Sequence, residues 1–178
     1  MKIGVDISQT AYKNTGVSQY LTNLVDRLTA IDIANEYIFF FSSLRQNPDS
    51  SLVERVRNDK RISLRRFFIP QSLLAFLWNT LHIAPLEWFV GDVDIFITSD
   101  WTEPPAKKAK KVTILYDLIV YKFPQETDGK IVSVQKRKLA WVKKESEKIL
   151  CISEATKKDA QEILGIEPER LVVTYPGI

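Results

Sequence analysis

The residues able to do chemistry in this 178-residue sequence stand in four groups, each directly after a short apolar run. "DIFIT" leads into Ser99, Asp100 and Trp101, "VTIL" into Tyr116 and Asp117, and "ILCI" into Ser153 and Glu154. "KIGVDI" leads into a polar loop from Ser8 to Gly16. Asp117 supplies a carboxylate and Tyr116 a hydroxyl that can donate or accept. Asp100 and Trp101 join a carboxylate to a flat apolar surface. Gly16 and Val17 open a helix whose unpaired N–H groups can face an anion. Plainer readings stand beside these: Asp117 as a strand-end cap, Tyr116 as packing, Trp101 as a loop anchor, Gly16 as a tolerated cap. One polar strand end is ordinary capping, whereas four together favour a shared site.

Other chemistries lack their parts. A dinucleotide fingerprint needs G-x-G-x-x-G between the first strand and its helix, and only Gly4 and Gly16 are available there. No G-K-[ST] of a phosphate-binding loop occurs. The single histidine, His82, sits in an apolar helical pattern and reads as a helix-face residue, which argues against a Ser-His-Asp triad or a zinc site. Cys151, in mid-strand, reads as a small buried hydrophobe. Asp6 ends the first strand without the acidic and lysine partners of a receiver-domain pocket.

The elements that must hold these groups alternate in type. Buried-strand patterns occur at "KIGVDI", "YIFFFS", "ISLRRFFI", "VDIFIT", "KVTILYD", "KILCIS" and "RLVVTY". Helical spacing is read over Gly16–Ala30, with Val17, Leu21, Leu24, Val25 and Leu28 on one face, and over Ser51–Arg57. It recurs over Gln71–Val90, which Pro85 should break, and over Gly129–Lys144, with Ile131, Val134, Leu139 and Val142 inward. A last helix starts at Ser153 as N-cap and stops at Gly165. Such alternation predicts an α/β, Rossmann-like three-layer domain with a mostly parallel sheet and right-handed crossovers. In such sheets ligands bind at the carboxyl ends of the strands, where all four polar groups fall.

Composition narrows the setting. The chain is 45% apolar and 26% charged, with a net charge of +3, so charge alone implies no nucleic-acid partner. Charge is uneven, however: residues 107 to 148 hold twelve Lys or Arg against five Asp or Glu, leaving −4 for the rest. That surplus reads either as solvated helix faces or as a basic face meeting phosphates, on a substrate or at a membrane surface. The apolar segment "SLLAFLWNTLHIAPLEWF" is expected to pack on the sheet rather than lie in a membrane interface. A lone cysteine, no signal-peptide pattern and no apolar run of membrane-spanning length lead to the expectation of a cytoplasmic protein, peripheral to the membrane at most.

Taken in order, these features resemble the N-terminal half of glycosyltransferase family 4, retaining GT-B enzymes that use nucleotide sugars. "MKIGVDIS" with "GVSQYLTNLVDRL" resembles the opening strand, loop and first helix. "DVDIFITSDWTEPP" is similar to the strand ending in a polar, proline-containing segment, and "VTILYDLIVYKFPQ" to the histidine-aspartate strand end. "KILCISEATKKDAQEILGIEPERLVVTYPGI" is the closest match. The resemblance implies residues 1–174 as one half of a GT-B fold, with residues 175–178 beginning a linker to a C-terminal domain of the same polypeptide. That second domain would hold most of the nucleotide sugar, and these residues alone would be inactive.

Carried over residue by residue, the resemblance assigns catalytic roles to Asp117 and Tyr116 and a donor-phosphate-facing role to Gly16 and Val17. It makes Ser99, Asp100, Trp101, Ser153 and Glu154 acceptor-binding. The implied partners are a nucleotide-sugar co-substrate and a glycan or lipid-linked acceptor of cell-envelope or other polysaccharide synthesis. Neither a cofactor nor a metal is expected. One departure stands out: Tyr116 occupies the position of the family's histidine. The rival reading is a stand-alone, non-catalytic sugar- or partner-binding domain.

Overall fold

In the computed structural model, which describes residues 1–176, seven strands form one parallel sheet. They are β1 (Lys2–Asp6), β2 (Glu36–Ser42), β3 (Ile62–Phe67), β4 (Ile95–Thr98), β5 (Lys110–Leu115), β6 (Ser146–Cys151) and β7 (Leu171–Val173). Their order is β3-β2-β1-β4-β5-β6-β7. The helices are α1 (Gly16–Ile31), α2 (Ser50–Asn58), α3 (Gln71–Ala75), α4 (Glu87–Val90), α5 (Ile119–Lys122), α6 (Gly129–Glu145) and α7 (Glu154–Leu164). Strand order reverses between β1 and β4, so the crevice of the sheet opens beyond the carboxyl ends of those two strands.

Side-chain alternation builds three layers. Ile3, Val5, Tyr37, Phe39 and Phe41 point to one face, where Leu21 and Val25 of α1 and Leu52 of α2 cover them. Phe40 and Phe96 point to the other face, under Leu74, Trp78, Leu86 and Val90. Leu115, Ile149 and Cys151 share that second face and meet Leu139 and Val142 of α6 and Ala160 and Leu164 of α7. A Cβ on Gly4 would lie 2.5 Å from the Phe96 ring, so the bare glycine lets that ring pack against β1.

Expected helix ends hold for α7: the Ser153 hydroxyl accepts the Thr156 N–H at 3.1 Å, and Gly165 closes the helix with φ 62°. The helix expected over residues 71–90 is instead three pieces. After α3 the chain widens into a π turn at Phe76–Leu81, then turns left-handed at His82 (φ 52°) and Ala84 (φ 62°) before Pro85. The break thus precedes the proline, whose ring disfavours helical backbone in the residue before it. His82 is no helix-face residue but the residue that ends the turn. Much of this segment packs on the sheet as expected, although Leu73, Phe76, Leu81, Ile83 and Trp88 stay exposed.

The inward stripe expected on α6 is also partly different. Leu139 and Val142 are buried, but Ile131 is 38% exposed, and Lys138 is buried instead at 2% exposure. The last strand is three residues long, shorter than "RLVVTY". Beyond it the chain is held by the Thr174 N–H to Cys151 O (2.8 Å) and by the Tyr20 hydroxyl to Thr174 O (3.0 Å). The linker expected at 175–178 falls in part on residues 177 and 178, outside the described residues.

Candidate active site at the switch point of the sheet

Parallel strands that each finish in a polar turn bring the four groups to one edge. Asp6 ends β1 ahead of the Ser8–Gly16 loop, Ser99–Trp101 follow β4, Tyr116 and Asp117 follow β5, and Ser153 follows β6. Three adjoining spaces lie along this edge. A cleft of about 580 Å³ runs between the Gln9–Val17 loop, α3, Trp101 and the start of α6. A pocket of about 240 Å³ shares Asp100, Trp101 and Ile131 with it and reaches Tyr116, Asp117, Gln135 and Lys138. A third space of about 440 Å³ shares Tyr116 and Asp117 and is bounded by Gly16, Val17, Asn23 and Pro176. Asp117 stands between the second and third spaces, and Asp100 between the first and second.

The segment Trp101–Glu103 is fixed from three sides. Asn79, offered by the π turn, donates to Trp101 O (2.8 Å) and accepts the Glu103 N–H (2.9 Å). The Thr102 hydroxyl donates to Asp6 at 3.5 Å. The Glu103 carboxylate, fully buried, accepts hydroxyls from Thr98 (2.7 Å), Thr113 (3.1 Å) and Ser146 (3.3 Å) and faces the Lys111 ammonium at 3.1 Å. Strand register explains the convergence, since Thr98 lies opposite Thr113 and Lys111 opposite Ser146. Lys111 also donates to Pro104 O (2.9 Å) and Glu145 (2.7 Å), and Glu145 meets His82 Nε2 at 3.0 Å. The His82 ring stacks on Trp141 at 3.5 Å. A buried charged chain therefore runs from the Trp101 loop to α6. Burial opposes the charge on Glu145, but Lys111 and His82 outweigh it and hold that carboxyl below its ordinary range.

Lys138 is a buried charge that lines the inner pocket. Its ammonium makes no hydrogen bond or ion pair among the described residues, and its field acts on Asp6, Asp100 and Glu103. Burial pushes the Lys138 ammonium down, while those carboxylates oppose the shift. Burial likewise raises Asp6 and Asp100, with Lys138 pulling both back and Asp117 pushing Asp100 further up. Asp100 and Lys138 both line the inner pocket, whereas Asp6 lines none of the three spaces.

The placements of the anticipated residues differ. Asp117 is exposed, lines two of the spaces, and caps the next turn by accepting the Ile119 N–H at 3.0 Å. Tyr116 is buried, edge-on to Tyr20, with its hydroxyl 3.2 Å from the Ser99 hydroxyl and its ionisation pushed up by burial. Ser99, buried and tied to Tyr116, lines none of the three spaces. Ser153 caps α7, Glu154 is its first residue, and both stand outside them. Asp100 is half-buried, with Gln135 donating to its carbonyl at 3.1 Å, and Trp101 walls two spaces. Gly16 and Val17 border the third space, where Thr15, rather than Gly16, caps α1 by accepting the Ser18 N–H.

Sequence reasoning missed Lys138, Asn79, Glu103 and Lys111. Lys138 had a signal: it continues the Ile131, Gln135, Val142 stripe at helical spacing, hidden inside the basic run "KRK". That run is accordingly less of a face than its count suggests, because Lys111 and Lys138 are interior.

Strand order reverses beside the crevice, and Asp100 and Asp117 border the spaces there. The family model described as Glycosyltransferase Family 4 matches residues 14–178, nearly the whole chain. A search of the curated proteins finds no match. With sheet, crevice and family model in agreement, the chain belongs to Glycosyltransferase Family 4 as an N-terminal, Rossmann-like glycosyltransferase domain.

Proposed function

We propose that this domain forms the acceptor side of a retaining, nucleotide-sugar-dependent glycosyltransferase that moves a sugar to a hydroxyl in glycan or cell-envelope polysaccharide synthesis. The observation that carries the reading is the position of Asp117, at the junction of two spaces, the outer of which is bounded by Gly16 and Val17 of α1. A donor phosphate in the outer space would face the α1 N-terminus at Gly16 and Val17, and an acceptor in the inner pocket would meet Asp100, Asp117 and Lys138. A second domain of the same polypeptide supplies the other wall of the donor site, so residues 1–178 alone transfer nothing and bind nucleotide sugars no tighter than millimolar. No metal or other cofactor takes part. The exposed lysines of α6 and of the 107–110 loop give the protein its peripheral contact with anionic lipid at the cytoplasmic face of a membrane.

The test is made on the whole encoded polypeptide. Release of nucleoside diphosphate from a panel of nucleotide sugars is measured with and without hydroxyl acceptors. Asp117→Asn should slow transfer at least tenfold, a barrier change of only ~1.4 kcal/mol, while leaving the melting temperature in place. Full activity in that variant removes Asp117 from the chemistry. Absence of transfer from every nucleotide sugar favours the non-catalytic binding domain.

A further inference from the structure

Asn79 reaches the candidate site without entering it. It is buried and lines none of the three spaces, yet its side-chain amide and its backbone carbonyl are all engaged. The amide donates to Trp101 O (2.8 Å) and accepts the Glu103 N–H (2.9 Å), while the carbonyl accepts the Trp141 indole N–H (3.0 Å). Trp141 belongs to α6, which also sends the Gln135 amide to Asp100 O (3.1 Å). The successive carbonyls of Asp100 and Trp101 are thus held by two side-chain amides, one on α6 and one tied to α6. Both elements wall the inner pocket, Asp100 and Trp101 from the strand end and Ile131, Gln135 and Lys138 from α6. The π turn brings Asn79 to this joint. The His82 N–H closes the turn on Leu77 O, five residues back, and the His82 ring donates through Nδ1 to Trp78 O (2.8 Å). Single π turns inside helices occur frequently at functional sites. Without the Asn79 amide, Trp101 O and the Glu103 N–H would be buried and unpaired, so the segment would move to find other partners.

Resting on the acceptor-side reading above, we infer that Asn79 is a positioning residue. Through Trp101 it sets the spacing between the strand-end wall and the α6 wall of the inner pocket, and so how tightly the acceptor is held. The outer space, where that reading puts the donor phosphate, is not bounded by Trp101, so donor binding does not depend on Asn79.

Fluorine NMR on the 178-residue chain labelled with 5-fluorotryptophan reads this wall directly. The chain has four tryptophans, and Trp101→Phe identifies the line of Trp101. The wild-type chain should give one narrow Trp101 line. Asn79→Ala should shift or broaden it and leave the line of the exposed Trp88 where it was. Asn79→Asp covers the case in which the alanine chain does not fold. Its protonated carboxyl keeps a donor and an acceptor in the shape of the amide, and burial favours that form. The narrow line should therefore be present at about pH 5 and lost at about pH 9, with the wild-type chain run alongside to subtract titration of His82, Glu103, Lys111 and Glu145. In the whole polypeptide, Asn79→Ala should raise the acceptor KM roughly tenfold, with kcat and the nucleotide-sugar KM within about twofold of wild type. An unmoved Trp101 line in the folded Asn79→Ala chain, a narrow line at both pH values in Asn79→Asp, failure of both variants to fold, or donor and acceptor KM values that rise together would each overturn the inference. An unmoved line with sugar transfer intact refutes the positioning role alone. A Trp101 line that moves, in a polypeptide that transfers no sugar, refutes the transferase reading and leaves the hold of Asn79 on Trp101 standing.

Discussion

Lys111→Met tests whether the charged chain beneath Trp101 is a working part of the fold. The wild-type ammonium is buried and has three acceptors, Glu145, Pro104 O and Glu103, at 2.7, 2.9 and 3.1 Å. Methionine keeps the stem's volume and removes all three bonds. Glu103 then keeps three hydroxyl donors and the more distant field of Lys138 but no ion-pair partner, fully buried. Breaking a buried pair from one side costs about 3–5 kcal/mol, a large part of the ~5–15 kcal/mol that holds a domain together. With a urea slope of about 2 kcal/mol/M, the unfolding midpoint should fall by roughly 1.5–2.5 M. The double variant Lys111→Met/Glu103→Gln removes the stranded charge and should recover a good part of that loss, because the two sites share one network. Equilibrium urea denaturation followed by circular dichroism measures both. A loss below ~1 kcal/mol in the single variant, or strict additivity in the double, refutes the argument, since the pair would then not be buried and coupled as described.

Asp100→Asn should raise stability near neutral pH. Burial holds the Asp100 carboxyl above its ordinary range, so the unfolded chain loses this proton first and ionisation costs the folded state stability as pH rises through that window. The gain in melting temperature should vanish at pH ~3, below the unfolded value of ~3.9, and its persistence there would assign the effect to packing. Gly4→Ala places a methyl into the Phe96 ring, and an overpacking cost of ~1–3 kcal/mol should appear as a lower melting temperature; an unchanged value would mean that the ring moves aside freely. Gly16→Ala meets no atom within 4 Å and should leave the domain as stable or up to ~1 kcal/mol more so, and a marked loss by thermal denaturation would reveal a backbone requirement at the start of α1.

Much of this architecture was readable before any coordinates. Strands buried on both faces read as unbroken apolar runs, so "YIFFFS" and "VDIFIT" are visible, and α1 and α7 carry both period and caps. Parallel pairing follows from the alternation, and with it the gathering of Asp100 and Asp117 at one edge. What escaped was set by tertiary context. The π turn at Phe76–Leu81 has no local signature, because its reward is the pair of bonds that Asn79 makes to a loop more than twenty residues away. Lys111 and Lys138 read as surface because lysine is seldom interior, and only the register that brings Thr98, Thr113 and Ser146 around Glu103 makes a dry site for charge. Ser99 and Ser153 stand at the correct end of their strands, yet their side chains serve Tyr116 and the α7 cap, a distinction that depends on side-chain direction and not on position in the chain.

The strand order has a consequence for how the protein comes into being. β1 is made first, yet it occupies the interior of the sheet, and its second neighbour, β4, begins at residue 95. At a synthesis rate of ~5–20 residues per second, roughly 5–20 seconds separate the emergence of these two strands. Throughout that interval Ile3 to Val5 have β2 to pair with on one side and an open edge on the other, the edge where Gly4 later admits Phe96. The nascent domain therefore passes through a stage with an unsatisfied apolar strand edge, when a factor bound at the ribosome exit has most to protect.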